Sequence, residues 1–276
     1  MKIVADTATL FAPAEGEAQG MIIVPVCVTI DGKTYQDYTE ITSEAFLEKI
    51  EVGGVPVSSQ PAIGDLLDVF ESADEEMLVL TVGDGLSGGY QSALSARNCV
   101  DNPERIHVMD SGTLAGPLRY LAKKAVALKN DGLPMEKIKE ELLACIESSV
   151  SFVIPEDFAF LKRSGRLTAI TAKVGGALKL LPVLTQTEDR KRIRPLAVKR
   201  TWKSAVETIT QRLEAVGVDH RYIINVCHAG TLQKAASVAA QIKEVFAGAE
   251  IEILHLSPAL ITHGGPGCIV VQAIKK

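Results

Sequence analysis

Apolar residues gather in short runs at 2–5, 21–30, 78–82 and 106–109, each long enough for a buried strand. Between the second and third runs, 43–50 and 64–71 carry apolar positions near a 3.6-residue period, which predicts amphipathic helices. A further helical pattern covers 114–129. Pro134 then opens a long helix with Ile138, Leu142, Leu143, Ile146 and Val150 on one face. Strands alternating with helices predict a largely parallel sheet covered on both sides.

The pattern changes near residue 150. Two strand-like runs, 180–185 and 193–198, are separated only by the polar stretch 186–192. That is hairpin spacing, too short for a crossover helix. Further strands are expected at 222–227, 250–255 and 268–274, with helices at 202–216 and 232–246. The expected fold class is α/β with two domains: an N-terminal α/β/α domain over 1–150, and a C-terminal α+β domain with a mixed or antiparallel sheet over 151–276.

Composition narrows the functional classes. The chain has 276 residues, 47% of them hydrophobic and 23% charged, enough for a full core. Its net charge of -5 argues against nucleic acid, which selects a basic face. The five cysteines (27, 99, 145, 227 and 268) form no C-x-x-C pair, which suits reduced thiols in a cytoplasm and neither a disulfide framework nor a zinc site. Asp6 within the first six residues argues against a signal peptide. No apolar run approaches the ~18 residues of a membrane span.

The chemistry concentrates in Gly83-Asp84-Gly85-Leu86-Ser87-Gly88-Gly89, between a predicted strand and a predicted helix. A glycine turn at a helix N-terminus is an anion site, because free N–H groups and the helix dipole face it. Three readings fit it. Gly83-x-Gly85-x-x-Gly88 matches a dinucleotide fingerprint, with Asp110 placed for a ribose, although two expected strands already precede this one. Gly85-x-Ser87-x-Gly89 matches a nucleophile elbow, with Asp110 or Asp219 and then His263 completing a serine hydrolase order. An oxyanion loop should precede that serine, yet His263-Gly264-Gly265 follows it. In the third reading Ser87 anchors a ligand without chemistry of its own. Two other stretches bear on the choice. Ser58-Ser59-Gln60-Pro61 either caps a helix starting near Gly64 or faces a ligand. Thr262-His263-Gly264-Gly265-Pro266-Gly267 reads as a tight, backbone-rich turn that fixes the position of His263.

Five motifs occur in order: Ser58-Ser59-Gln60-Pro61; Gly85-Leu86-Ser87-Gly88-Gly89-Tyr90-Gln91-Ser92-Ala93; Val108-Met109-Asp110-Ser111-Gly112-Thr113; Leu161-Lys162-Arg163-Ser164-Gly165-Arg166-Leu167; and Thr262-His263-Gly264-Gly265-Pro266-Gly267. Together they resemble the DegV family of bacterial fatty-acid-binding proteins, over essentially the whole chain. The resemblance implies a long-chain fatty acid held between two domains, with no cofactor and no metal. It places Ser87, Ser58, Ser59 and His263, with Gly88 and Gly264, around the lipid carboxylate. It also implies a non-catalytic subunit that presents the acid to an ATP-binding fatty acid kinase. Arg166, Lys199 and Arg200 are candidates for docking that kinase or contacting an acyl phosphate. Transient contact with a membrane surface is a further expectation. The first position of the Ser58 motif is commonly threonine in the family, and serine keeps the hydroxyl. Asp84 stands where the family tends to carry serine, and its carboxylate would repel the ligand if it pointed inward. The tunnel needs apolar walls with small residues, which 169–178 supplies, with Phe158 and Phe160 as neighbours; the same segment also suits an ordinary helix-packing face.

Overall fold

The computed structural model describes residues 1–168 and 180–276. The expected tunnel wall at 169–178 lies outside the described residues. Along the chain, the first elements are β1 (Lys2–Asp6), α1 (Pro13–Ala18), β2 (Ile22–Val24), β3 (Cys27–Ile30), β4 (Lys33–Gln36), α2 (Ser43–Glu51), β5 (Val57–Ser59) and α3 (Ile63–Glu71). Then come β6 (Met77–Thr81), α4 (Gly89–Arg97), β7 (Ile106–Asp110), α5 (Ala115–Asn130), α6 (Met135–Ser148), β8 (Val150–Ile154) and α7 (Phe158–Ser164). The last are β9 (Leu181–Gln186), β10 (Ile193–Lys199), α8 (Trp202–Ala215), β11 (Tyr222–His228), α9 (Leu232–Val245), β12 (Glu250–His255), α10 (Pro258–Gly264) and β13 (Ile269–Lys275).

These strands form three sheets. A parallel sheet has the order β2-β1-β6-β7. A six-stranded sheet has the order β10-β9-β8-β13-β11-β12; only its β11–β12 pair is parallel, so it is mixed. A small antiparallel sheet, β4-β3-β5, packs against α10. The fold is therefore mixed α/β, with a parallel and a mixed sheet. The expected hairpin is present as β9–β10, with a bulge between Pro195 and Ala197.

Helix α5 lies between the two large sheets, against β1 and β6 on one side and β11 and β13 on the other. Its first turn approaches β11 so closely that a Cβ on Gly116 would stand 2.3 Å from Asn225 Cγ. Gln272, fully buried on β13, fixes the same end: its Oε1 accepts the Gly116 N–H at 3.3 Å, and its amide donates to the Leu114 carbonyl at 3.0 Å. Leu118, Leu121, Ala122 and Ala125 of α5 are buried in a core shared with Ile3, Leu78 and Leu80 and with Leu184, Ile193 and Ile274. One apolar core thus fastens both large sheets to one helix.

Several elements depart from the expectation. The run 21–30 is two strands in different sheets, because Pro25 has no N–H to continue a ladder. Pro134 is the cap before α6 and not its first residue, Leu143 faces solvent, and Val150 starts β8. Helix α3 has no side-chain cap; Ser58 and Ser59 instead belong to β5. Residues 262–264 are the last turn of α10, and the backbone-rich turn is confined to 265–267.

Candidate functional site

The parallel sheet reverses direction of growth between β1 and β6, since β2 lies on one side and β7 on the other. Crevices at the carboxyl ends of strands at such a switch point are where open α/β sheets bind ligands. Here Asp6 ends β1, and Val82 with the glycine turn follows β6. A cavity opens at that point, with about 920 Å³ of empty space, part of it continuous with solvent. Its walls are mostly apolar, from Val26, Leu114, Val153, Leu161, Leu260 and Val270 among others. Its polar side chains come from separate elements: Ser58 and Ser59 of β5, Ser87 of the glycine turn, His263 of α10, Asp6 and Arg166. Gly88 and Gly264 line it as well.

The glycine turn is braced from outside. Gly85 has φ +89°, and a Cβ there would stand 2.8 Å from Lys191, so only glycine lets the β9–β10 hairpin close over the turn. Lys191 Nζ pairs with Asp84 Oδ2 at 3.2 Å, and Gln91 donates to Asp84 Oδ1. Those contacts hold the Asp84 carboxyl below its usual range and hold it out of the cavity wall. The carboxylate therefore does not face a ligand. Ser87 Oγ accepts the Gly89 N–H at 3.2 Å, at the start of α4, and keeps its own hydrogen to donate.

Ser58 and His263 meet across the cavity mouth, with Oγ 2.9 Å from Nε2. Burial, with the Arg166 charge adding to it, pushes His263 down to about 4, so the imidazole is neutral near pH 7. Its Nδ1 is buried and has no hydrogen-bond partner among the described residues. Arg166 donates from Nε to the Leu86 carbonyl at 3.1 Å and from a terminal nitrogen to the Ser164 carbonyl. It is half-buried, which lowers its pKa through desolvation, and it is a cation in the cavity wall. Lys199 and Arg200 do not line the cavity: Lys199 ends β10 opposite Leu181, and Arg200 is exposed beyond it.

This geometry weighs against both enzyme readings. A hydrolase needs the imidazole on Ser87 with an acid behind it. His263 is bonded to Ser58, Asp110 Oδ1 accepts the Asp84 and Gly112 N–H groups, and Asp219 pairs with Arg221. Asp110, the acid a ribose would need, does not line the cavity. Among the described residues no group of three His, Cys, Asp or Glu could hold a metal ion, and no helix is long and apolar enough to cross a membrane. Phe158 and Phe160 pack in the cores beside the cavity and do not line it.

Sequence reasoning missed Asp6 and gave Arg166 a role in docking the kinase or contacting an acyl phosphate, not in holding the fatty acid itself. The rule that ligands sit beyond strand ends would have found Asp6, the last residue of the first strand. For Arg166 no local signal exists, since its place is set by Leu86, 80 residues away.

A sequence model described as "Uncharacterised protein, DegV family" matches residues 1–276. A DegV domain-containing protein of Halalkalibacterium halodurans is 31% identical over 97% of this chain and 95% of its own length. One of Clostridium acetobutylicum is 32% identical over 90% of this chain and 88% of its own. Among solved structures, a DegV family protein from Thermus thermophilus, described by its fatty acid binding, superposes with a TM-score of 0.89 at 25% identity, over 100% of this chain and 99% of that one. DegV of Bacillus subtilis, described as a fatty acid binding protein, gives 0.85 at 27% identity with the same coverage.

Proposed function

The chain belongs to the DegV family, and on that premise we propose that it binds a long-chain fatty acid in the cavity between its large sheets. One observation carries the reading: Ser58, Ser87 and His263, from three separate elements, line one mostly apolar cavity, and Ser58 and His263 are hydrogen-bonded there. The fatty acid binding described for the Thermus thermophilus and Bacillus subtilis proteins supports it.

The parts suit the two ends of such a ligand. A buried carboxylate must be hydrogen-bonded or neutralised. The Ser87 and Ser58 hydroxyls donate, the neutral His263 fixes Ser58, and Arg166 supplies the positive charge. Ser59 adds a second hydroxyl on β5, and the Gly88 and Gly264 backbones complete the rim. An acyl chain with about fifteen methylenes gains roughly 12 kcal/mol gross at ~0.8 per buried methylene. Association and ordering take back a large part of it.

The protein is a carrier in this account and not the enzyme. It presents the acid to a separate ATP-dependent kinase that forms the acyl phosphate. Arg166, Lys199 and Arg200 are the residues assigned to that encounter, with transient membrane contact for loading, in a cytoplasmic setting. Native mass spectrometry and organic extraction of the purified protein test the reading. A co-purifying fatty acid, one per chain, is expected. Repeated preparations that carry none and take up neither palmitate nor oleate would refute it. Stoichiometric labelling of Ser87 by a fluorophosphonate would return the site to hydrolase chemistry.

A further inference from the structure

Asp6 is a carboxyl group in the wall of a cavity that the reading above gives to another carboxyl group. It is only 5% exposed. Its Oδ1 accepts the Ala8 N–H at 2.8 Å, capping the single 3-10 turn Thr7–Thr9. Its Oδ2 accepts no hydrogen bond from any described residue, and the residue lines the cavity. A Cβ built on Gly89 would stand 3.7 Å from Asp6 Oδ2 and 3.5 Å from Ser87 Oγ, so the two oxygens lie within about 7 Å of each other. A carboxyl oxygen with no hydrogen bond from a described residue therefore lines the same cavity as the proposed headgroup anchor.

Two carboxylates in one cavity away from water disfavour each other's ionisation, and at hydrogen-bond range one of them takes up a proton. We propose that Asp6 is a member of the headgroup site and that it holds one proton in common with the bound acid. The ligand arrives as a carboxylate. One proton from solvent joins it, and the bound state is a carboxylate hydrogen-bonded to the Asp6 carboxylic acid. No bond other than O–H forms or breaks. The site then selects acids whose anion is basic enough to accept that hydrogen bond. An alkyl sulfonate of equal length, a far weaker base, is a poor ligand.

The groups around Asp6 leave it as the titrating partner. Burial raises its own carboxyl to about 6, so in the free protein it is largely ionised at pH 7 to 8. From α10, His263 is already neutral across that range. Beyond α7, Arg166 stays charged. Arg119 of α5 donates to the Leu10 carbonyl at the far end of the 3-10 turn and lies over the Phe11 ring. Asp37, which follows β4, is fully buried, feels the Asp6 charge and is raised to about 7, so it requires its own control.

The inference rests on the fatty-acid reading, and one experiment separates their failures. Dodecanoate, below its micelle concentration, is titrated calorimetrically into the full chain in buffers of different ionisation enthalpy, from pH 5 to 8. Uptake of close to one proton per ligand is expected at pH 8, falling toward none at pH 5. The affinity should weaken about tenfold per pH unit above 7. Asp6→Asn keeps the acceptor for Ala8 and places an N–H donor at Oδ2; it should bind with no uptake and a flat profile. Asp37→Asn should leave both unchanged. Wild-type protein should bind dodecanesulfonate at least tenfold more weakly than dodecanoate at pH 6. Zero uptake at pH 8, a profile that follows Asp37, or equal affinity for the two ligands would each overturn the shared proton while leaving lipid binding intact. No binding of dodecanoate, palmitate or oleate at any pH would overturn both.

Discussion

Ser87→Ala removes one hydroxyl from the place where the glycine turn meets α4. Two separate losses follow from the contacts of Oγ. Its oxygen accepts the Gly89 N–H at the start of α4, a capping contact of the kind worth about 0.5–2 kcal/mol. For a chain of this size that corresponds to a fall in melting temperature of roughly 1–6 °C. Its hydrogen is the proposed donor to the lipid carboxylate, and a hydrogen bond to a charged group contributes about 1.5–3 kcal/mol. The dissociation constant for palmitate should therefore rise roughly 10- to 150-fold. Competitive displacement of a fluorescent fatty acid measures it, with hexadecanol as the comparison ligand. The alcohol has no carboxylate, so its affinity should change much less than that of the acid. A loss below twofold for palmitate, or an equal loss for both ligands, would refute the anchor role of Ser87.

Other consequences follow from the same geometry. Ser58→Ala strands the buried His263 Nε2, and both fatty-acid affinity and stability should fall, the latter by about 1–3 kcal/mol in a chemical denaturation. His263 binds its proton less well folded than unfolded, so the stability this contributes is present above about 6.5 and is lost as pH falls toward 4; proton NMR should show an imidazole that stays neutral down to about pH 5. Lys191→Ala breaks an exposed pair that faces away from the cavity and should change palmitate affinity by less than twofold; a large loss would mean that the freed Asp84 carboxylate reaches the ligand after all. Gly116→Ala forces a methyl group onto Asn225 between the sheets and should cost about 1–3 kcal/mol in denaturant midpoint measurements.

Much of the fold is written locally. The β9–β10 hairpin shows because seven polar residues cannot hold a crossover helix, and α8 and α9 show because their buried residues, such as Ile209 and Ile242, recur at helical spacing. The small sheet is not legible, because β4 is Lys33-Thr34-Tyr35-Gln36, half exposed and without an alternating apolar face. The proposed headgroup site is visible only through the order of its motifs. Ser58 and His263 are 205 residues apart, and nothing near either one announces the other. The orientation of Asp84 was hidden for the same reason, since Lys191, 107 residues away, decides it.

The central claim is that a fatty acid lies in this cavity with its carboxylate at Ser87, Ser58 and His263. Carbon NMR of palmitate labelled at its carboxyl carbon tests it most directly. The account predicts one bound carboxyl resonance that saturates at one ligand per chain and shifts in both Ser87→Ala and Ser58→Ala. A bound resonance indifferent to both substitutions, or none at saturating palmitate, would contradict it.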